Sequence, residues 1–333
     1  MVSDVAGVLT TDSTRRRLSA WLTRSPRTRL ALLLSTPLLW LGLAYIGALA
    51  ALLITALWTT NAFTGDIERV WTLDNIRTVL TDAVYRTVTL RTIGVAALVT
   101  VIDAVLALPV AFYMAKVAAR RWQPLLVAAI LMPLWASYLV KAYAWRSMFG
   151  GGGLIDWLGA PFGVGSPGYG LPATVCTLAY LWFPYMVLPI FAGLDRLPDS
   201  LLEAAGDLGA RPGRTLRTVV LPIFAGLERL PGSLLEAAGD LGARPGRILR
   251  TVVLPLAFPA LVAGSIFTFS LSLGDYVAVE IVGGTKQFLG NLVYDNIGAA
   301  NNQPLAAAVG LVPVVVMIVY LFLSRRAGAL ENL

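Results

Sequence analysis

An all-α integral membrane protein with six transmembrane helices is the fold class this sequence predicts, and three observations carry the prediction. Of 333 residues, 57% are hydrophobic and only 14% charged, where a soluble domain carries about 25% charged residues. Mean hydropathy is +0.74. Six apolar runs approach the ~20 residues that cross a bilayer as a helix. Lys and Arg crowd some connections and avoid others.

Residues 1–29 are a basic tail, with Arg15, Arg16, Arg17, Arg24, Arg27 and Arg29 among Ser and Thr. The spans expected within a domain at 30–326 are 34–58, 92–115, 124–145, 171–192, 253–273 extended toward Ile281, and 304–324. No water reaches the bilayer core to satisfy backbone groups, so these runs must be helices. The first follows an Arg-rich tail as a signal peptide would. Its apolar stretch runs from Leu30 past Trp58 with no small-residue cleavage site, so it reads as an uncleaved anchor. Residues 59–91 are too polar to span, and TLDNIRTVLTDAVYRTVTLRTI spaces its apolar positions as a helix does, which predicts an interfacial helix outside. The four glycines Gly150 to Gly153 open an external loop.

Orientation follows from the cations. Lys116, Arg120 and Arg121 follow span two, eight arginines lie between spans four and five, and Arg325 and Arg326 follow span six. Residues 150–170 contain no Lys or Arg, and 283–303 contain only Lys286. An even number of crossings then puts both termini in the cytoplasm. The net charge of +7 is therefore topological signal, and nucleic acid is not an expected partner.

Several chemistries are excluded. The chain has no histidine and one cysteine, Cys176, so a Ser-His-Asp triad, a Cys-His pair, a His-ligated zinc and an internal disulfide are ruled out. Cys176 reads as a small core residue of span four. No metal site is expected. No Walker A pattern occurs, so this chain is not expected to hydrolyse ATP, and it needs no cofactor of its own.

The most informative stretch is a tandem duplication over 188–253. Residues 188–220 read LPIFAGLDRLPDSLLEAAGDLGARPGRTLRTVV, and 221–253 repeat them except at Asp195/Glu228, Asp199/Gly232 and Thr215/Ile248. Each copy offers Ser200 or Ser233 as a helix N-cap, apolar residues on one face, and Gly209 or Gly242 at the exit. Glu203-Ala204-Ala205 is followed by Gly209, and Glu236-Ala237-Ala238 by Gly242. Such a helix presents small side chains and one carboxylate to a groove, or lies on the membrane surface as an ordinary amphipathic helix.

That spacing closely resembles the EAA loop of ABC importer permeases, the segment that docks on the ATPase subunit. LMPLWASYLVKAYAWRSMFGGGGLIDWLG (131–159), SLSLGDYVAVEIVGG (270–284) and TLDNIRTVL (72–80) are similar to segments of the binding-protein-dependent permeases, specifically the spermidine/putrescine (PotB-like) type. Permeases for ferric iron, thiamine and opines share much of this pattern. The resemblance covers about residues 70–326. It implies a type I ABC importer permease fold in a bacterial inner membrane. It also implies an ATPase dimer that binds the ATP, a second permease subunit, a periplasmic or lipid-anchored solute-binding protein, and transport by alternating access. Glu203, Ala204, Ala205 and Gly209, with Glu236, Ala237, Ala238 and Gly242, are the implied coupling residues. A secondary transporter is the rival class, but such proteins often repeat their spans, whereas the repeat here is a connection.

Ionisable groups at membrane depth are functional candidates by default. Asp103 in span two, Tyr143 in span three, and Asp275, Tyr276 and Glu280 at the end of span five are the candidate substrate-pathway residues. Carboxylates with aromatic faces suit a polycation. Asp103 has a structural reading as well, an ion pair with Lys141. Lys141 and Arg146 read most simply as snorkelling anchors.

Overall fold

The computed structural model describes residues 26–61, 64–195 and 254–326. The duplicated EAA segment, with Glu203, Ala204, Ala205, Gly209, Glu236, Ala237, Ala238 and Gly242, lies outside the described residues. So do residues 1–25 of the basic tail. The chain divides into two units, residues 1–55 and 56–333.

In the first unit the described residues belong to one long helix, α1 (Pro26–Ala56), with Pro37 inside it. Large apolar side chains stand exposed along it, Trp40 and Leu43 among them. That is the surface a membrane helix offers to apolar surroundings.

The second unit begins with a two-residue antiparallel pair, β1 (Thr59–Thr60) and β2 (Ile67–Glu68), in register Thr59↔Glu68. It is the only strand pair among the described residues. The expected external helix is present as α2 (Asp74–Thr81), but it is shorter than its apolar spacing suggested. Asp82 is the reason. Its backbone is extended and its side chain accepts from Val84 N, so it N-caps a new helix, α3 (Ala83–Phe112). Residues 83–91, expected as interfacial, are the first turns of the span-two helix. A π-helical turn, Tyr113–Val117, closes it.

The third expected span is not continuous. Helix α4 (Gln123–Trp135) and α5 (Tyr138–Phe149) meet at 89°. Pro133 lacks the N–H of one helical rung, and Ala136 and Ser137 are both extended. A short helix α6 (Leu154–Gly159) follows, then α7 (Leu171–Asp195), α8 (Leu254–Gly274), α9 (Val277–Val282), α10 (Leu289–Gly298) and α11 (Gln303–Arg326). Among the described residues four helices are long and apolar enough to cross a membrane, or five if α4 and α5 are one bent span. The expectation of six is thus met only in part. In α8 the apolar stretch among these residues is 261–274, shorter than a full crossing.

Helices α3, α7 and α8 form the centre of this unit. Small residues let them approach: Ala96, Ala107 and Ala111 on α3 and Ala173 on α7 are fully buried, and a side chain at Gly264 would collide with Met186. Close packing of small residues replaces the hydrophobic drive that lipid cannot supply. Ala107, Ala111 and Phe112 meet Met186, Val187 and Ile190 toward one end, and Val95 and Val99 meet Leu178 and Leu181 toward the other. Thr92, Thr100 and Thr177 hydrogen-bond to the carbonyls four residues back, so they add no orphan donor. Cys176, expected in the core, is exposed. It falls outside the buried stripe of α7 that includes Ala173, Thr174 and Thr177.

The glycine-rich loop after α5 is tied by one carboxylate. Asp156 accepts from Gly152 N at 2.7 Å and also from Ser166 N. Gly152 has a φ of +72°, the left-handed region that favours glycine. The N–H groups of Ser166 and Gly152 hold the Asp156 carboxyl below its ordinary range. The loop's added stability is therefore present above the unfolded value of about 3.9 and lost as pH falls through the folded one. Protonated Asp and Asn are nearly isosteric. Amide exchange at Gly152 and Ser166, corrected for intrinsic rates, should be faster in Asp156→Asn than in the wild type at neutral pH. The gap should close in acid, and a gap that persists there would show that charge on Asp156 does not hold the loop.

Candidate functional site

Two helix interruptions face one another. One is the extended pair Ala136 and Ser137 between α4 and α5. The other is Asp275 and Tyr276 between α8 and α9. Helix breaks expose N–H and C=O groups that must find partners where water is scarce, and Tyr138, next to the first break, supplies one at the second.

Tyr138, the first residue of α5, donates its hydroxyl to the Asp275 carboxylate, 2.5 Å from both oxygens. Ala278 N donates to Asp275 Oδ1 at 3.0 Å and to the Tyr138 hydroxyl at 3.2 Å. Asp275 thus caps the first turn of α9, and Tyr138 joins that cap to the bend in the third span. The other end of α9 is held from the same side. Arg146 Nη1 donates to Ile281 O at 2.5 Å, and Gly170 N donates to Val282 O at 2.9 Å. The Arg146 guanidinium also lies 4.8 Å from the Tyr169 ring centre. A cation on the last carbonyls of a helix is favourable electrostatically. Arg146 is therefore a structural clamp, where the sequence suggested a snorkelling anchor.

Helix α10 closes the opposite flank. Asn291, almost fully buried, donates through Nδ2 to Glu280 Oε2 at 2.8 Å and to Tyr276 O at 3.3 Å. Its Oδ1 accepts from Phe288 N at 3.1 Å, so both ends of the amide are used. Gly290 lets α10 come this close, because a Cβ there would lie 2.7 Å from that of Tyr276. The Tyr276 and Tyr294 rings stack at 5.5 Å. An aromatic row leads from Tyr138 to Trp182 at 6.2 Å and on to Tyr185 at 5.9 Å.

Of the residues read from sequence, Asp275, Tyr276 and Glu280 come together here. Asp275 is buried, and Glu280 and Tyr276 are exposed. Tyr143 lies on α5 with its ring exposed, outside this group. Asp103 is fully buried on α3, and among the described residues neither of its oxygens has a hydrogen-bond partner. The ion pair with Lys141 is therefore not formed. Tyr138 appeared in the sequence only as one of many aromatics, and Asn291 and Gly290 were missed. An Asn in the apolar run LGNLVYDN, directly after a glycine, is the signal that marks them.

The chain is similar to known proteins along almost its whole length. The inner membrane ABC transporter permease protein YdcU of Escherichia coli is 37% identical over 332 residues, covering 95% of each chain. The spermidine/putrescine transport system permease protein PotB of Haemophilus influenzae is 26% identical over 266 residues, 78% of this chain and 81% of that protein. A solved bacterial alginate ABC transporter, in complex with an alginate pentasaccharide-bound periplasmic protein, superposes with a TM-score of 0.61. That match has 13% identity and covers 92% of this chain and 96% of that one. At that identity the likeness speaks for the fold alone. Residues 223–328 match the family described as binding-protein-dependent transport system inner membrane component. With several long apolar helices, a whole-length ABC permease relative and this family match, the chain is a multi-pass inner-membrane protein that belongs to the binding-protein-dependent ABC importer permeases.

Proposed function

We propose that this chain is the membrane-spanning subunit of an ATP-driven importer whose solute is a polycation of the polyamine class. The observation that carries the solute class is the wall at the second break. There Glu280 stands exposed on α9 and is joined through Asn291 to Tyr276, whose ring stacks on that of Tyr294. A carboxylate with aromatic faces supplies charge pairing and cation–π attraction to an ammonium group. An exposed carboxylate in a membrane helix is costly unless it faces water or a partner charge. The likeness to polyamine permeases over about four-fifths of the chain supports the same reading. Asp103 and Tyr143 are the further pathway residues of the proposal, and Asp275 lies buried at the same break.

In this reading the chain crosses six times with both termini cytoplasmic, α4 and α5 forming one bent span and α8 completing another. It works with a second permease, a dimeric ATPase that binds the nucleotide, and an external solute-binding protein. Closure of the ATPase dimer swings the spans from inward-open to outward-open. The chain itself hydrolyses nothing and binds no cofactor. Permeases for ferric iron, thiamine or an opine are the alternative, and the likeness to spermidine/putrescine permeases favours the polyamine.

The duplicated EAA segment enters the proposal as one docked copy and one displaced copy. The second copy runs directly into α8, and the family match begins at Ile223, two residues into that copy. The contiguous match therefore includes Glu236, Ala237, Ala238 and Gly242 and leaves out Glu203, Ala204, Ala205 and Gly209. Force from the ATPase must pass through a rigid connection into α8, which only the second copy has. A displaced amphipathic helix costs little, because it rests at the membrane interface.

The purified chain should show no ATPase activity. Uptake of labelled spermidine or putrescine into proteoliposomes should require the complete complex and ATP. Uptake by this chain alone, driven by a proton or sodium gradient, would overturn the ATP-driven reading. In the complex, Glu236→Lys should cut ATP-coupled uptake at least tenfold, and Glu203→Lys should change it less than twofold. A larger loss from the Glu203 change would mean the first copy docks.

A further inference from the structure

Two carboxylates lie at the second break, and the structure gives them different work. Asp275 is 8% exposed. Its oxygens face the Tyr138 hydroxyl at 2.5 Å on both sides and the Ala278 N–H at 3.0 Å. An ammonium would have to displace a hydroxyl and unpair a backbone N–H to reach it. Glu280 is exposed, and among the described residues its one side-chain hydrogen bond comes from Asn291 at 2.8 Å. A carboxylate carries about four acceptor sites, so most of Glu280's remain open.

We infer that Asp275 is a positioning residue: with Tyr138 it forms a tie between the bend in the third span and the start of α9, and this tie sets the pose in which Asn291 presents Glu280. The inference rests on the reading that Glu280 meets a cationic solute. The tie is continuous in the structure. Tyr138 opens α5, Asp275 caps α9, and Ala278 N is shared between the two. At the far end of the same short helix, Arg146 holds Ile281 O. Helix α9 has only six residues, too few to hold itself without external partners. Its backbone between those two fixings determines where Glu280 points.

Geometry and charge make separable demands on Asp275. An Asn at 275 keeps an acceptor for Ala278 N and can exchange a hydrogen bond with the Tyr138 hydroxyl, which both donates and accepts. It loses only the charge. A Phe at 138 keeps the ring against Trp182 and removes the tie. The test uses the complete importer in proteoliposomes, with labelled spermidine as the probe. It also follows hydrogen–deuterium exchange over residues 277–282 in the same complex.

If Asp275 positions, Asp275→Asn stays within about twofold of wild type in both KM and exchange. Tyr138→Phe speeds exchange over 277–282 and raises KM about tenfold. Glu280→Gln raises KM at least as much while leaving exchange unchanged. Asp275→Asn raising KM as far as Glu280→Gln, with exchange unaltered, would overturn the assignment and make Asp275 a charge-reading group. Unaltered exchange in Tyr138→Phe would overturn the tie itself. If the wild-type complex takes up no spermidine, the reading of the solute fails. The exchange comparison of Tyr138→Phe with wild type still decides the tie, because it needs no solute.

Discussion

A helix that stops among apolar helices leaves N–H and C=O groups with no water to take them, and the short helix α9 has both its ends taken up by neighbouring elements. The cost of an orphaned buried polar group is about 1–3 kcal/mol, so the break at Asp275 and Tyr276 needs these partners to persist. Tyr138 and Asp275 cover the start of α9, and Arg146 and Gly170 cover its end. Asn291 secures the remaining flank. The packing around them is arranged to permit this. Gly290 brings α10 against the break, and small residues bring α3, α7 and α8 together beneath it.

Much of this was legible in the sequence, and the misses have physical causes. Apolar runs located the four long helices and the bent third span among the described residues, because the bilayer imposes a length rule that a single sequence displays. Asp275, Tyr276 and Glu280 were legible because polar groups in an apolar run are conspicuous. What was lost was backbone detail. Asp82 lies within helical apolar spacing, yet its side chain caps Val84 N and divides one expected helix into two. Pro133 is visible in the third span, but proline alone does not fix where a helix bends or how far. Arg146 misled because its charge has two satisfactory fates, water at an interface or a carbonyl on a neighbouring helix. Only the fold decides between them.

The duplication shows how sequence and structure constrain different links of the chain. The repeated EAA segment carries the family resemblance most specifically, and in the proposed function it acts only through the helix it leads into. Of the two copies, one continues into α8 and thence, through the break at Asp275, into α9. Under the proposed function, a push on the start of α8 would reach the very residues that Tyr138 ties to the third span. The tie would then be a point where motion driven by an ATPase meets the proposed solute wall.

Electrostatics explains why a wall with two adjacent carboxylates would employ them differently. Two exposed charges at one helix break would repel each other and would hold a multivalent cation strongly in low dielectric, where charge pairs strengthen several-fold over water. A translocation path works when binding is favourable enough to enter and weak enough to leave. Burying Asp275 under Tyr138 and the Ala278 N–H removes it from competition for the cation while retaining its value as a cap. Glu280 is left exposed and held through one amide, that of Asn291. The strength of the site then depends on the pose of α9, and pose is something a conformational cycle can change.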